Sequence, residues 1–537
     1  MNSLFRTPLR LFRTLLALLL IHVSAHAQRN VILIIADDLS PDYLGFYAQS
    51  SDTAITPSLR ALAERGIVFS NFWSTPLCSP TRSEIFTGRY PFRTGIGSVV
   101  AGPMSTQLDT SEISVARLLK YNAPTRYATA NLGKWHLHLP NPSARRLYPN
   151  IMGYDLYSGN FSGMLPDFYL YARIRNGLLD TVRTYATTQT VNEAIEWIAS
   201  VSKSQPFFCW LAFNAPHTPF HVPPSNLCDT KGLVNDTNAI RRNPVPYFKA
   251  AVQAMDTEIG RLLTALKQSG RLDSTDVIFI GDNGNAPQVA QNADPKKSKA
   301  TCYDYGIHVP LVIAGPSVVQ PGRFNSSLIN APDLFATILD LCRFPSWRNF
   351  IPLSTVVDAV SIAPIIRHEQ DSVRSWVYSE QFTKPPIDAD AKTIRNGRYQ
   401  LLVPDSGAAE FYDLIADPSE NTNLLLGVMT AEQQSNYLTL CTQLNALRGT
   451  NLCSVVEVHL EEQTPSLTIM PNPAATVIQL HHADLARRIR LISGEGAVRE
   501  IGNEQAISLR EIADGQYFLW VEWSSGSCTT IPFIIAH

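Results

Sequence analysis

Charge is scarce in this chain. Only 17% of residues are charged, and 44 lysines and arginines against 46 aspartates and glutamates leave a formal net charge of −2. Such a balance provides no field of one sign to attract nucleic acid or an anionic membrane, so any ligand must be recognised at a local site. Cysteine is scarce too. Eight residues, at 78, 209, 228, 302, 342, 441, 453 and 528, are too scattered for a small disulfide scaffold. Cys209 and Cys342 fall inside apolar runs and read as small buried hydrophobes. Beyond the first residues no apolar stretch approaches the roughly 20 needed to span a bilayer, which excludes a later transmembrane segment. Internal repeats and long low-complexity tracts are absent as well.

What is present supports a large core. Apolar residues make up 45% of 537, enough for a catalytic-sized domain with smaller units attached. At the start, Arg6, Arg10 and Arg13 precede the apolar run from Leu15 to Val23, and Ala25-His26-Ala27 supplies small residues before Gln28. This pattern predicts an export leader over 1–27, and hence a secreted or cell-surface protein of bacterial type that passes through the periplasm.

Four continuous apolar runs read as buried parallel strands: Val31 to Ala36, Phe207 to Phe213, Val277 to Ile280 and Val309 to Gly315. Helical patterns lie between them. One opens with a cap at Thr56-Pro57-Ser58 and closes at Gly66, and others cover about 111–121, 188–202, 247–268 and 332–342. The alternation predicts an α/β domain with a mainly parallel sheet flanked by helices, over 28–344. A smaller α+β module is expected over 345–453. Strand-like segments there are Ile394 to Val403 and Phe411 to Leu414, with a helix near 430–448. From 454 to 537 short strand-like runs (476–480, 488–493, 516–523, 529–535) alternate with turn residues and predict an all-β sandwich.

The chemistry lies just after the strands. Asp37-Asp38 follow the first, His217 the second and Asp282-Asn283 the third, while Lys134 and His136 follow a weaker run from Tyr127 to Leu132. Open α/β sheets bind ligands outside the carboxyl ends of their strands, so these groups can meet on one rim. Asp37, Asp38, Asp282 and Asn283 offer hard oxygen ligands, suited to Ca²⁺ or Mg²⁺ rather than zinc. Either pair alone would read as a cap or a turn. In Cys78-Ser79-Pro80-Thr81-Arg82, Pro80 suits the first turn of a helix. Cys78 would then sit at a helix N-terminus, where free N–H groups face an anion.

Cys78-x-Pro80-x-Arg82 followed by Thr87-Gly88-Arg89 resembles the signature of the formylglycine-dependent, arylsulfatase-like type I sulfatases. Further matches are Ala36-Asp37-Asp38, Gly133-Lys134-Trp135-His136, Pro216-His217, Gly281-Asp282-Asn283-Gly284, Lys299 and Phe411-Tyr-Asp-Leu followed by Asp417-Pro418, Glu420 and Asn423-Leu424. The resemblance spans about 28–450 and implies an alkaline-phosphatase-like fold and hydrolysis of sulfate monoesters of carbohydrates or aryl alcohols. It implies oxidation of Cys78 to formylglycine by a formylglycine-generating or sulfatase-maturing enzyme, and calcium on Asp37, Asp38, Asp282, Asn283 and residue 78. One hydroxyl of the hydrated aldehyde would attack sulfur and the other would expel sulfate. Arg82, Lys134 and Lys299 are implied around the sulfate, His136 as base for the elimination, and His217 as acid toward the bridging oxygen. His138 and His221 read as structural.

The chain departs from the family pattern at Asp304, Tyr305 and His308, which bears on the shape of that loop and on substrate choice. Pocket walls are expected from loops such as 138–186 and 218–245. A phosphodiesterase or phosphonate hydrolase on the same scaffold is the competing reading. A binding protein that had lost catalysis would be expected to lack the nucleophile or metal ligands, and all are present. Finally, Leu467-Thr-Ile-Met-Pro471-Asn472-Pro473 and Asp514-Gly515-Gln-Tyr517 resemble the sorting domain of type IX secretion, which implies that secretion machinery as a partner.

Overall fold

Apolar runs without alternation become strands only where both faces of the sheet are covered, and here helices cover both. The computed structural model describes residues 29–50 and 52–453 and, near the C-terminus, 468–470, 474, 476–481, 486–501, 506–523 and 528–537. The expected leader over 1–27 lies outside the described residues, as do Leu467 and residues 471–473 of the expected sorting motif. The chain divides into two units, Met1–Ser454 and Val455–His537. No described helix is long and apolar enough to cross a membrane.

The first unit is built on a ten-stranded sheet. In chain order its strands are β1 (Asn30–Ala36), β2 (Gly66–Phe69), β3 (Ala128–Lys134), β4 (Leu156–Asn160), β5 (Tyr171–Arg175), β6 (Leu178–Val182), β7 (Phe207–Ala212), β8 (Thr275–Gly281), β9 (Leu311–Ala314) and β10 (Arg323–Asn325). Across the sheet they run β10-β2-β9-β8-β1-β7-β3-β4-β5-β6. The central five, from β8 to β4, are parallel. Six helices flank them: α1 (Pro57–Glu64), α2 (Cys78–Thr87), α3 (Val115–Tyr121), α4 (Ala186–Ser200), α5 (Val245–Gln268) and α6 (Asp333–Leu341). Alternate residues of β1 serve opposite faces. Ile32 and Ile34 join Leu59, Val191 and Met255 of α1, α4 and α5 in one core. Val31, Leu33 and Ile35 join Ile85, Leu118 and Ile338 of α2, α3 and α6 in the other.

Four local expectations are corrected. β9, expected to be parallel, runs antiparallel to both β8 and β2. Between Gly281 and Leu311 the chain forms only short helical turns, the longest Asp304–Ile307, and none is long enough to act as the helix of a parallel crossover. Gly66 does not close α1 but begins β2, where a Cβ would stand 2.3 Å from the Ile313 carbonyl oxygen. Thr56 makes no side-chain cap; the Asp256 carboxylate of α5 instead accepts from the Ser58 and Leu59 N–H groups. The third helix begins at Val115 rather than near 111 because Ser114 caps it, accepting from Arg117 N at 3.0 Å.

Beyond α6 a four-stranded antiparallel sheet is formed by β11 (Val377–Gln381), β12 (Ala391–Arg395), β13 (Tyr399–Pro404) and β14 (Glu410–Asp413), with α7 (Ala431–Arg448) packed on it. The segment from Ile394 to Val403, read as one strand, is the turn and arms of a hairpin. Asn396-Gly397 supplies the reversal. A disulfide joins Cys441 to Cys453, and Cys209 and Cys342 are buried free thiols. In the second unit β15 (Thr468–Met470), β16 (Val477–His481) and β19 (Ala506–Ser508) form one antiparallel sheet. β17 (Ala486–Ser493), β18 (Val498–Ile501), β20 (Gly515–Trp523) and β21 (Cys528–Ile535) form another. Ile507 of the first sheet shares a core with Ile489, Leu519 and Val521 of the second, a β-sandwich arrangement.

Gly133 is a tight point of the central sheet. Its φ is 95°, and an added Cβ would meet the Ala212 carbonyl oxygen at 1.9 Å. Gly133→Ala is expected to lose more than about 3 kcal/mol of stability, since strain and backbone collision add. Urea denaturation of the purified variant measures it, and an unchanged midpoint would contradict the packing described.

Candidate active site

Register brings the polar groups together. Ala36 of β1 pairs with Gly281 of β8, Ile35 pairs with Ala212 of β7, and Ala212 pairs with Gly133 of β3. Four neighbouring strands therefore end almost level: Asp37, Asp282 and Phe213 come next after three of them, and Lys134 is the last residue of the fourth. Reciprocal bonds brace the loops after β1 and β8: Ser40 N donates to Asn285 Oδ1 at 3.0 Å, and Asn285 N to Ser40 Oγ at 2.9 Å. Asp38 and His136 adopt φ values of 67° and 56°, a left-handed region that side-chain-bearing residues rarely occupy. Such strain at a ligand-facing turn is held in place only by the packing around it.

Cys78 is the first residue of α2, whose residues are all buried and whose N-terminus has no side-chain cap. The helix can thus offer its first N–H groups and its positive dipole end to an anion. Ser79 fixes the approach: its hydroxyl donates to the His136 carbonyl oxygen at 2.7 Å and accepts from Val100 N at 3.1 Å. Cys78 Sγ lies 3.0 Å from His136 Nδ1. Burial pushes the Cys78 thiol up, although Lys134 and Lys299 pull the other way. Burial, together with Lys134 and Arg82, holds His136 well below the usual imidazole range, so it is a neutral acceptor.

Three carboxylates meet three cations. Arg82 donates Nε and a terminal nitrogen to Asp282 Oδ2 at 3.1 and 2.8 Å, with its other terminal nitrogen on the Lys134 carbonyl oxygen. Lys134 Nζ reaches both oxygens of Asp37, at 2.9 and 2.7 Å. Lys299 Nζ bonds Asp38 at 2.7 Å, and His217 Nε2 is 3.6 Å from the same carboxylate. His217 Nδ1 donates to the Thr218 carbonyl oxygen at 2.8 Å, which leaves Nε2 as the nitrogen facing the carboxylates. Burial raises Asp38, but His217 and Lys299 outweigh it and hold that carboxyl at about 2. Burial and the neighbouring Asp37 instead push Asp282 up.

The donor set fits a hard dication. Acidic oxygens of Asp37 and Asp282 cluster with the Cys78 sulfur, and those of Asp37 and Asp38 with a His217 nitrogen, each group within 4.8 Å. Asn283 Nδ2 donates to Asp38 Oδ1 at 2.7 Å, while its Oδ1 is buried with no partner. An acceptor oxygen without a donor, among three carboxylates, is what a cation would satisfy.

The residues read as catalytic or metal-binding lie at this rim; a cavity of about 580 Å³ opens beside Cys78, His136, His217 and Lys299. Its walls come partly from the 138–186 region, including Leu139, Arg146, Phe161 and Met164, and partly from Val99 to Ala101. No residue of 218–245 lines it, contrary to expectation. Sequence reasoning also missed Gly163, where a Cβ would stand 2.5 Å from His136 Cε1, and Arg146, a half-buried guanidinium whose Nε has no partner. Neither carries a local motif. Asp304, Tyr305 and His308 do not line this cavity. Asp304 is held by Trp73, Arg395 and His308, and Tyr305 by Asp42 and Asn285, so they shape the loop from behind. His138 and His221 make bonds within the fold, to Trp135 and Leu108 and to Tyr185 and Pro219.

Comparison with known proteins bears on this arrangement. The family model described as Sulfatase matches residues 29–343, and one described as N-sulphoglucosamine sulphohydrolase, C-terminal, matches 297–449. The chain is 26% identical to human Arylsulfatase A over 476 residues, covering 78% of this chain and 88% of that protein. It is 25% identical to mouse Arylsulfatase J over 330 residues, covering 59% of this chain and 52% of that protein. A crystal structure of Ps i-CgsB in complex with k-i-k-neocarrahexaose superposes with a TM-score of 0.66 at 25% identity, over 78% of this chain and 92% of that one.

The buried pairs set a stability test that needs no turnover. Arg82→Ala would leave Asp282 buried beside Asp37 without its guanidinium. A loss of about 3–5 kcal/mol is expected in chelator-containing buffer, read from denaturant midpoints. A loss below about 1 kcal/mol would show that the pair is not buried as described.

Proposed function

The chain belongs to the sulfatase family and is a sulfuric ester hydrolase, and from that premise we propose how it works. It cleaves sulfate monoesters of carbohydrate or aryl alcohols through a formylglycine made from Cys78, beside a calcium ion on Asp37, Asp38, Asp282 and Asn283. One observation carries the reading: Cys78 stands at the uncapped first turn of α2, 3.0 Å from a neutral His136, within a shell of three carboxylate–cation pairs. A thiolate hydrolase is disfavoured there, because burial raises the thiol where such an enzyme needs it lowered.

A hydrated formylglycine at this position supplies one hydroxyl for attack on sulfur and a second for expulsion of sulfate. Asp37, Asp38, Asp282 and Asn283 would hold the calcium ion, Asn283 through its unpartnered Oδ1, and the ion would supply positive charge for the sulfate. The chain's own residues do the rest. His136, neutral, takes a proton at Nδ1 from the group on residue 78. His217, anchored through Nδ1 to Thr218, presents Nε2 to the departing alcohol oxygen and in its imidazolium form donates the Nε2 proton, leaving neutral imidazole with the proton on Nδ1. Lys299 stands in the same cavity as the counter-charge for oxygen that becomes anionic. Arg82 and Lys134 hold the Asp282 and Asp37 carboxylates in place by direct ion pairs, and they supply counter-charge to the shell before substrate arrives.

Maturation by a formylglycine-generating or sulfatase-maturing enzyme follows from this reading, and the pattern from Arg6 to Ala27 supports export. The residues around Asp514 and Tyr517 support type IX sorting of the C-terminal unit.

Active enzyme is expected to carry formylglycine at 78. Peptide mass spectrometry should find that fragment lighter than its cysteine form, and Cys78→Ala should fold yet release no sulfate. Full activity with unmodified cysteine at 78 would end the proposal.

Calcium is expected to raise the melting temperature and, after chelation, to restore activity. Asp37→Ala should lose both responses and more than about a hundredfold in turnover. Restoration by zinc alone would overturn the oxygen-ligand assignment.

A further inference from the structure

The cavity beside Cys78 has an unusual electrical composition. Not one of its lining residues is an aspartate or glutamate, and most are apolar, including Val100, Leu139, Phe161 and Leu179. Two cationic side chains stand in the wall: Lys299, already paired with Asp38, and Arg146. Arg146 lies in the short helical turn Ser143–Leu147 and makes no ion pair or side-chain hydrogen bond among the described residues. Its Nε is buried without a partner although the side chain is only half-buried. Its neighbour Arg145 is by contrast satisfied, bonding Gln107 Oε1 and the Asn141 carbonyl oxygen.

A guanidinium turned into an apolar wall without a counter-ion is unfavourable unless a ligand supplies one. Its planar fork matches a two-oxygen anionic group better than a neutral hydroxyl. The ester's sulfate is already served by the uncapped α2, Lys299, His136 and His217 at the cavity floor. We propose that the substrate carries a second anionic oxygen group on its alcohol portion, a carboxylate or another sulfate, and that Arg146 binds it and so selects the substrate. This inference rests on the sulfatase reading and adds the substrate's second charge. The apolar remainder of the wall would hold the ring or chain between the two anions.

The test compares esters by the ratio of their kcat/KM values. Matured full-length enzyme is assayed for sulfate release from 4-nitrophenyl sulfate, from its ring-carboxylated positional isomers, and from mono- and disulfated glucosamine. At least one carboxylated or disulfated ester is expected to exceed its mono-anionic counterpart by about tenfold or more, through KM. In Arg146→Gln that ratio should collapse toward one, and Arg146→Lys should recover part of it. A carboxylate that gains while a second sulfate does not, or the reverse, identifies which anion the site takes. Damage to the fold would lower every ester together and keep the ratio, which would refute the role given to Arg146. The absence of any preference in wild type would refute it as well. Failure to release sulfate from every ester would instead refute the sulfatase mechanism beneath it.

Discussion

Three carboxylates buried at level strand ends cannot remain ionised together without counter-charge, and the rest of the structure answers that constraint. Asp37 and Asp282 leave adjacent parallel strands at the same height, and Asp38 follows directly. Like charges a few ångströms apart in a dry interior repel by several kcal/mol per pair. Each is met by a cation from a different part of the chain: Arg82 from α2, Lys134 from the end of β3, and Lys299 from the loop before β9. The pairs therefore join segments 97, 200 and 261 residues apart. Closing the sheet and assembling the site are a single event.

That balance also explains why the site suits a dication and a sulfate ester together. Three negative and three positive side chains leave a shell with no net charge. A divalent ion entering it exceeds the single charge of a sulfate monoester, which leaves positive potential for the charge that develops as the alcohol departs. The protein has already met the reorganisation cost in its fold, partly as strain at Asp38 and His136. Gly163 contributes by absence: any side chain there would displace the His136 ring.

Chemistry and selection occupy different structural materials. The reacting groups stand on strand ends and on the first turn of a buried helix, where packing allows little movement. The cavity walls come from the Val99–Ala101 loop, the turn bearing Arg146, and the hairpin of β5 and β6. Loops of this kind can change without disturbing the sheet, so substrate choice is free to vary over fixed chemistry.

Much of the fold and most of the rim were legible in the sequence, for physical reasons. Continuous apolar runs report burial on both faces, so β1, β7 and β8 were readable, and so was the convergence of the residues that follow them. Pro80 announced the first turn of α2, because its ring is compatible with helix only near the start. Direction is a different matter. Val309 to Gly315 is as apolar as the parallel strands, yet it runs antiparallel, because an apolar run reports burial on both faces and not the direction in which the chain crosses the sheet. Likewise, the strand ends needed register before Lys134 could be paired with Asp37, or Arg82 with Asp282. The roles of Arg146 and Gly163 are invisible locally, since one depends on lacking a partner and the other on a ring 27 residues away in sequence. The sequence alone determined the kinds of group available and the strand ends from which they emerge. Tertiary structure alone decided which charges neutralise one another and which one is left open to a ligand, because pairing energy depends on distance and burial between segments that sequence leaves far apart.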